Sequence, residues 1–254
     1  MNTVKKHFII VGNWKMNPGT LAEAKTIFTS IARRAKQSKK VTVIIAPPAP
    51  FISAISGKGI ATAAQDVDRE AAGSFTGSVS ASELASTGAE YAIVGHSYRR
   101  SVGDTDAIVA EKAKRALEAG MQIILCVGEM ERDGHAHYLK VIRDQILAVM
   151  AVVDKKHSRS IVIAYEPVWA IGKSYDTALK PSDVHEMAIY VRKVAAEILG
   201  KTAGLKIPVL YGGSVNFENA QAILRDSSVD GLLIGRQSLV PKEFGNIIEY
   251  ADSI

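Results

Sequence analysis

The chain has 254 residues, 47% hydrophobic and 6% aromatic, a net charge of +5 and a single cysteine, Cys126. That length suits one large α/β domain or two small ones, and it buries enough surface on folding to need no disulfide or metal staple. One cysteine excludes an internal disulfide and fits a reducing compartment, while mild basicity favours anionic ligands; interspersed charges, lysine runs that stop at pairs and few aromatics argue against a nucleic-acid partner.

In chain order, the first apolar stretch, His7-Phe8-Ile9-Ile10-Val11, is too short for a signal-peptide core. No run anywhere approaches the ~20 apolar residues of a membrane span. The expected location is therefore the cytoplasm, with no membrane partner. Phe8–Val11 reads as a strand, Leu21–Ala35 as a helix, and Val41–Ala46 and Ile60–Ala64 as strands. Residues 65–79 form a long loop rich in Gly, Ser and charge, a functional or interface candidate. Ser80 before Ala81-Ser82-Glu83 is a helix start signal. A strand Tyr91–Val94 and a helix Thr105–Ala119 follow, with Asp104 as the start signal and Gly120 as the stop. Next come strand Gln122–Val127, helix Tyr138–Val153 and strand Ile161–Tyr165. Helix Pro181–Leu199 has proline in its first turn and ends at Gly200. Strand Pro208–Tyr211, helix Asn216–Leu224 and strand Gly231–Ile234 complete the series.

The strands are apolar throughout rather than alternating, as parallel strands covered on both faces are. Eight of them, alternating with helices, predict an α/β fold: a (β/α)8 barrel, eight parallel strands surrounded by helices, with residues 1–254 as one domain. The rival, an open doubly wound sheet, lacks its glycine fingerprint after the first strand.

A barrel places its chemistry at the C-terminal ends of its strands. Those ends carry Asn13 and Lys15, His96, Glu166, Tyr211-Gly212-Gly213-Ser214, and Gly235-Arg236. Each has a plainer reading: a solvated lysine, a hydrogen-bonded packing histidine, a strand-capping carboxylate, a turn leading into a helix. What outweighs these is convergence on one rim. Glycine turns on the last two strands could hold an anion on backbone N–H groups, Lys15 adds a point charge, Glu166 is a candidate base and His96 a donor. Pro167 stops the strand after Glu166, and the stiff apolar segment through Trp169 and Ile171 to Gly172 reads as a lid. A metal site at His135-x-His137 has no carboxylate cluster beside it.

Gly12-Asn13-Trp14-Lys15-Met16-Asn17, Phe75-Thr76-Gly77, Val94-Gly95-His96-Ser97, Cys126-Val127-Gly128-Glu129, Ala164 through Gly172, Tyr211 through Asn216 and Asp230-Gly231 resemble, in order and spacing, motifs of the triosephosphate isomerase family. The resemblance spans essentially the full length. It implies that Glu166 removes the proton beside the carbonyl of a three-carbon sugar phosphate. It implies that a neutral His96, near a helix N-terminus, polarises that carbonyl, and that Lys15 and Asn13 stabilise the enediolate. Gly172, Ser214, Gly235 and Arg236 would hold the phosphate. Pro167–Ser174 would be the lid, with Trp169 and Ile171 in it and Tyr211 as its latch. Thr76 would tip an interface loop of a homodimer. No cofactor and no metal is implied.

The chain departs from the family pattern at four positions. Tyr98 replaces a glutamate normally placed near the active-site lysine, Lys173-Ser174 replaces Thr-Gly at the lid end, Arg236 replaces glycine, and Ser78 follows Gly77 where glutamate is usual. These leave two alternatives open: an isomerase of a four-carbon ketose phosphate, and a weakly active or non-catalytic phosphate-binding relative.

Overall fold

The structure, a computed structural model, describes residues 6–170 and 179–254. Strands β1 (Phe8–Asn13), β2 (Val41–Ala46), β3 (Ala61–Ala64), β4 (Tyr91–Val94), β5 (Gln122–Val127), β6 (Ile161–Tyr165), β7 (Val209–Tyr211) and β8 (Gly231–Ile234) close into a barrel in sequence order. Every pairing is parallel, and β8 returns to β1 with Ile9 opposite Gly231. Around them run α1 (Leu21–Ala35), α2 (Ile52–Ile55), α3 (Ala81–Ser86), α4 (Ser97–Ser101), α5 (Asp106–Glu118), α6 (His137–Val152), α7 (Pro181–Leu199), α8 (Lys201–Gly204), α9 (Phe217–Asp226) and α10 (Pro241–Ser253).

The all-apolar strand pattern has a direct cause. Alternate residues serve two cores. Val11, Ile44, Ala63, Ile93, Ile124, Cys126, Val162, Ala164, Leu210 and Leu233 pack together as the barrel interior. Their neighbours Ile10, Val43, Ile45, Val94, Ile123, Leu125, Ile163 and Leu232 pack in the larger core with the helices.

Boundaries shift for local reasons. β1 runs on through Gly12 and Asn13, polar or side-chain-free positions that still pair with Ile45 and Ala46. β3 starts one residue later than expected, at Ala61. β7 begins at Val209 because Pro208 has no N–H, although its carbonyl still accepts from Ile163 at 2.9 Å. The expected cap at Asp104 is corrected to Thr105, whose hydroxyl accepts from Ile108 N–H at 3.3 Å. Asp104 instead pairs with buried Lys112 at 2.7 Å. Ser80 and Glu83 form a full capping box on α3.

Candidate active site

The end of β1 is held in a costly shape. Lys15 has φ 54°, the left-handed region that non-glycine residues avoid; such positions typically cost ~1–3 kcal/mol. The side chain of Asn13, itself buried, accepts the Lys15 N–H at 3.0 Å. Gln65 Nε2 donates to the carbonyls of Lys15 (2.7 Å) and Ala46 (2.9 Å), so one amide ties the bend to the end of β2. The Lys15 stem passes over the top of β8: a Cβ built on Gly235 would lie 3.5 Å from Lys15 Cε. Lys15 is exposed and makes no ion pair among the described residues.

Across the rim, His96 caps the N-terminus of α4. Its Nδ1 accepts the Tyr98 N–H at 3.1 Å. A nitrogen that accepts carries no proton, so this contact assigns the ring as the Nε2–H tautomer. That Nε2 stands 3.5 Å from Glu166 Oε1, and Glu166 Oε2 accepts the Ser97 N–H at 3.1 Å. Glu166 is only 3% exposed. Its backbone N–H continues the ladder to Val127 O at 2.8 Å. Two glycines press on it: a Cβ on Gly212 would sit 2.8 Å from Glu166 Cγ, and one on Gly128 would sit 1.8 Å from Glu166 O. Cys126 lies fully buried below; burial first, and the Glu166 carboxylate second, push its thiol far above the ordinary value.

The segment that follows Glu166, through Ala170, is anchored from outside the site. Val168 N–H donates to Glu129 O at 3.0 Å. The carboxylate of Glu129, 1% exposed, gathers Trp169 Nε1 (2.9 Å), the Tyr165 hydroxyl (2.9 Å) and Arg132 Nε (3.1 Å) on one oxygen. Arg132 also lies 5.7 Å over the Trp169 ring. Burial beside Glu129 pushes the Tyr165 hydroxyl up. Ser214 Oγ donates to Ala170 O at 3.1 Å, joining the turn after β7 to the segment after β6. Ile171 and Gly172 lie outside the described residues, as do Lys173 and Ser174.

On the remaining strand ends, Asn219 bridges the β7 turn, donating to Ser214 O and accepting from Asn216 N–H, each at 2.9 Å. Tyr211 is buried with its hydroxyl against Gly213, and burial pushes that hydroxyl up to about 12 against the opposing pull of the Leu179 backbone. Gly235 opens a short turn, Arg236–Leu239, with Arg236 exposed at the rim.

Asn13, Lys15, His96, Glu166, Ser214 and Gly235 thus come together at the ends of five strands. Thr76 is exposed on the 65–79 loop and shares no hydrogen bond with them among the described residues. Sequence reasoning missed Gln65, Gln145, Asn219 and Arg132, and named Glu129 without giving it a role. Chemically, a buried carboxylate, an imidazole N–H and an ammonium on one rim suit proton transfer beside a carbonyl, with the developing oxyanion neutralised.

A family model described as Triosephosphate isomerase matches residues 8–251. Relatives of that name include proteins of Coprinopsis cinerea, 36% identical over 96% of this chain and 97% of that protein, and Aquifex aeolicus, 36% identical over 94% and 98%. A third, from Dehalococcoides mccartyi, is 36% identical over 98% and 99%.

Proposed function

The chain belongs to the triosephosphate isomerase family, and from that premise we propose how its rim performs the family's reaction. The activity is that of an aldose–ketose isomerase interconverting dihydroxyacetone phosphate and D-glyceraldehyde 3-phosphate. The relatives share that one name, which favours it over the four-carbon ketose phosphate.

Glu166 is the base. It takes a proton from the carbon beside the carbonyl and returns it to the neighbouring carbon. To do so the carboxylate exchanges its resting bond with Ser97 N–H for the substrate. His96 donates its Nε2–H to the carbonyl oxygen as that oxygen gains charge, then moves protons between the two oxygens of the enediolate. The Lys15 ammonium, which has no described carboxylate to satisfy it, and the Asn13 amide stabilise that charge. Backbone N–H groups of Gly172, Ser214, Gly235 and Arg236 hold the phosphate. Residues Pro167–Ser174, with Trp169 and Ile171, close over the site, Tyr211 latches them, and closure excludes water from the enediolate. The reaction needs neither metal nor cofactor.

The chain acts as one barrel domain and as a homodimer in the cytoplasm. Supporting the dimer, apolar side chains stand exposed on the segments after β1, β3 and β4, including α4: Met16 at 92%, Phe75, Val79, Tyr98 and Val102. Thr76 sits at the tip of the middle loop.

The observation that carries the reading is Glu166, buried and facing His96 Nε2 at 3.5 Å. The test is Glu166→Gln in a coupled assay run in both directions. General-base catalysis contributes ~10²–10⁴-fold, so kcat should fall by that order. A variant that keeps its rate within about tenfold of wild type, or a wild type inert toward both triose phosphates, would overturn it.

A further inference from the structure

The geometry points to Gln145 as a positioning residue for the base: from helix α6 it fixes Gly128, and through Gly128 it fixes the backbone of Glu166. This inference rests on Glu166 being the base.

Gly128 lies one residue past the last β5–β6 ladder pair, Val127 with Tyr165. Gln145, buried on α6, supplies what the ladder no longer does. Its Oε1 accepts the Gly128 N–H at 2.8 Å and its Nε2 donates to the Gly128 carbonyl at 3.1 Å. A single amide thereby satisfies both polar groups of one residue, as a neighbouring strand would. Two bonds from one planar group set the orientation of that peptide as well as its position.

The consequence falls on Glu166. A Cβ at Gly128 would stand 1.8 Å from Glu166 O and 2.6 Å from Glu166 C, so the two backbones are in direct contact. Glu166 N–H is bound in turn to Val127 O, immediately before Gly128. Any rotation of the Gly128 peptide is therefore passed to the Glu166 main chain. On its far side the Glu166 side chain meets Gly212 and cannot compensate by retreating that way. Of the phosphate-holding groups proposed, Ser214, Gly235 and Arg236 follow β7 and β8, and Gly172 is six residues beyond Glu166, so Gln145 acts first on the base and less on substrate binding.

Two variants test this. Gln145→Met fills the space without either hydrogen bond. Gln145→Glu keeps the shape and the acceptor but sets a carboxylate against the Gly128 carbonyl. Both should melt as folded proteins and lose about tenfold or more in kcat, in line with the rate cost of a misplaced reacting group. KM for both triose phosphates and inhibition by inorganic phosphate should stay within about twofold. The deficit of Gln145→Glu should also shrink as pH falls, because the protonated carboxyl both donates and accepts as the amide does. A merely structural role would move none of these in that pattern. Unchanged kcat in either variant, a matching rise in KM, or a pH-independent Gln145→Glu deficit overturns the inference. If Gln145→Met does not fold, Gln145→Glu alone decides. An active Glu166→Gln variant would instead defeat the assignment of the base, a separate outcome.

Discussion

Gly212→Ala should slow the enzyme by pushing its base aside. The added Cβ would lie 2.8 Å from Glu166 Cγ and 3.5 Å from Oε1. Carbon atoms in contact prefer roughly 3.5–4.0 Å, so the Glu166 side chain must retreat by about 1 Å. Gly212 does not have the left-handed φ that would add backbone strain. The displaced carboxylate strains its 3.1 Å bond to Ser97 N–H and changes its 3.5 Å separation from His96. A misplacement of that size costs roughly 10²-fold in rate, or about 2.7 kcal/mol of transition-state stabilisation. Overpacking also costs ~1–3 kcal/mol of stability, which leaves the protein folded at assay temperature if its stability is ordinary. Steady-state kinetics with both triose phosphates, beside a thermal melt, measure the two effects separately. A kcat within about threefold of wild type in the folded variant would refute the reasoning, since it would mean the carboxylate position does not control the rate.

Cys126 should be inert in the folded protein: burial and the Glu166 carboxylate both disfavour its thiolate. Its reaction with a disulfide reagent at mild alkaline pH should proceed only as fast as the protein unfolds, and a rapid phase under native conditions would refute that. Burial pushes the Asp66 carboxyl above its ordinary value, outweighing the pull of Lys112 and Arg99. The folded state therefore holds that proton more tightly than the unfolded one, and stability is lost as pH rises from about 4 through the raised value. The advantage of wild type over Asp66→Asn in denaturant unfolding should shrink over that range; an advantage that grows contradicts the assignment. Nitrogen-15 NMR of His96 should show the proton on Nε2, and a proton on Nδ1 would conflict with the bond from Tyr98 N–H.

The strands were legible because burial on both faces leaves little room for polar residues. β1 ran past its apolar stretch because Gly12 and Asn13 pair through their backbones, which composition does not report. Helix α4, Ser97–Ser101, has too few turns to show a period, so the helix N-terminus near His96 was inferred from family likeness and not from pattern, and the cap that His96 makes on it was not foreseen. Asp104 looked like a cap because any acidic residue before a helix does; its ion pair with Lys112 comes from the fold. Asn13, Lys15, His96 and Glu166 could be named because each lies at or just past a strand end. What holds them could not. Gln65 is 50 residues from Lys15, Gln145 is 17 from Gly128, and Trp169 is 40 from Glu129. No local spacing relates them.

Those supports share a chemistry. The proposed reacting groups sit where the parallel ladder runs out, beside backbone whose N–H and C=O groups lose their strand partners and must find others. At three of these ends the partner is a side-chain amide: Gln65 on Lys15 and Ala46, Gln145 on Gly128, Asn219 on Ser214 and Asn216. The amides of Gln145 and Asn219 accept and donate at once, as a strand edge does and as a carboxylate or an ammonium cannot, while Gln65 donates to two carbonyls. It is also uncharged. A carboxylate in the place of Gln65 would set a negative charge beside Lys15, and one in the place of Gln145 would set it behind Glu166. Either would oppose the charges that the reaction develops. Neutral amides hold the rim rigid while leaving its field to Glu166 and Lys15.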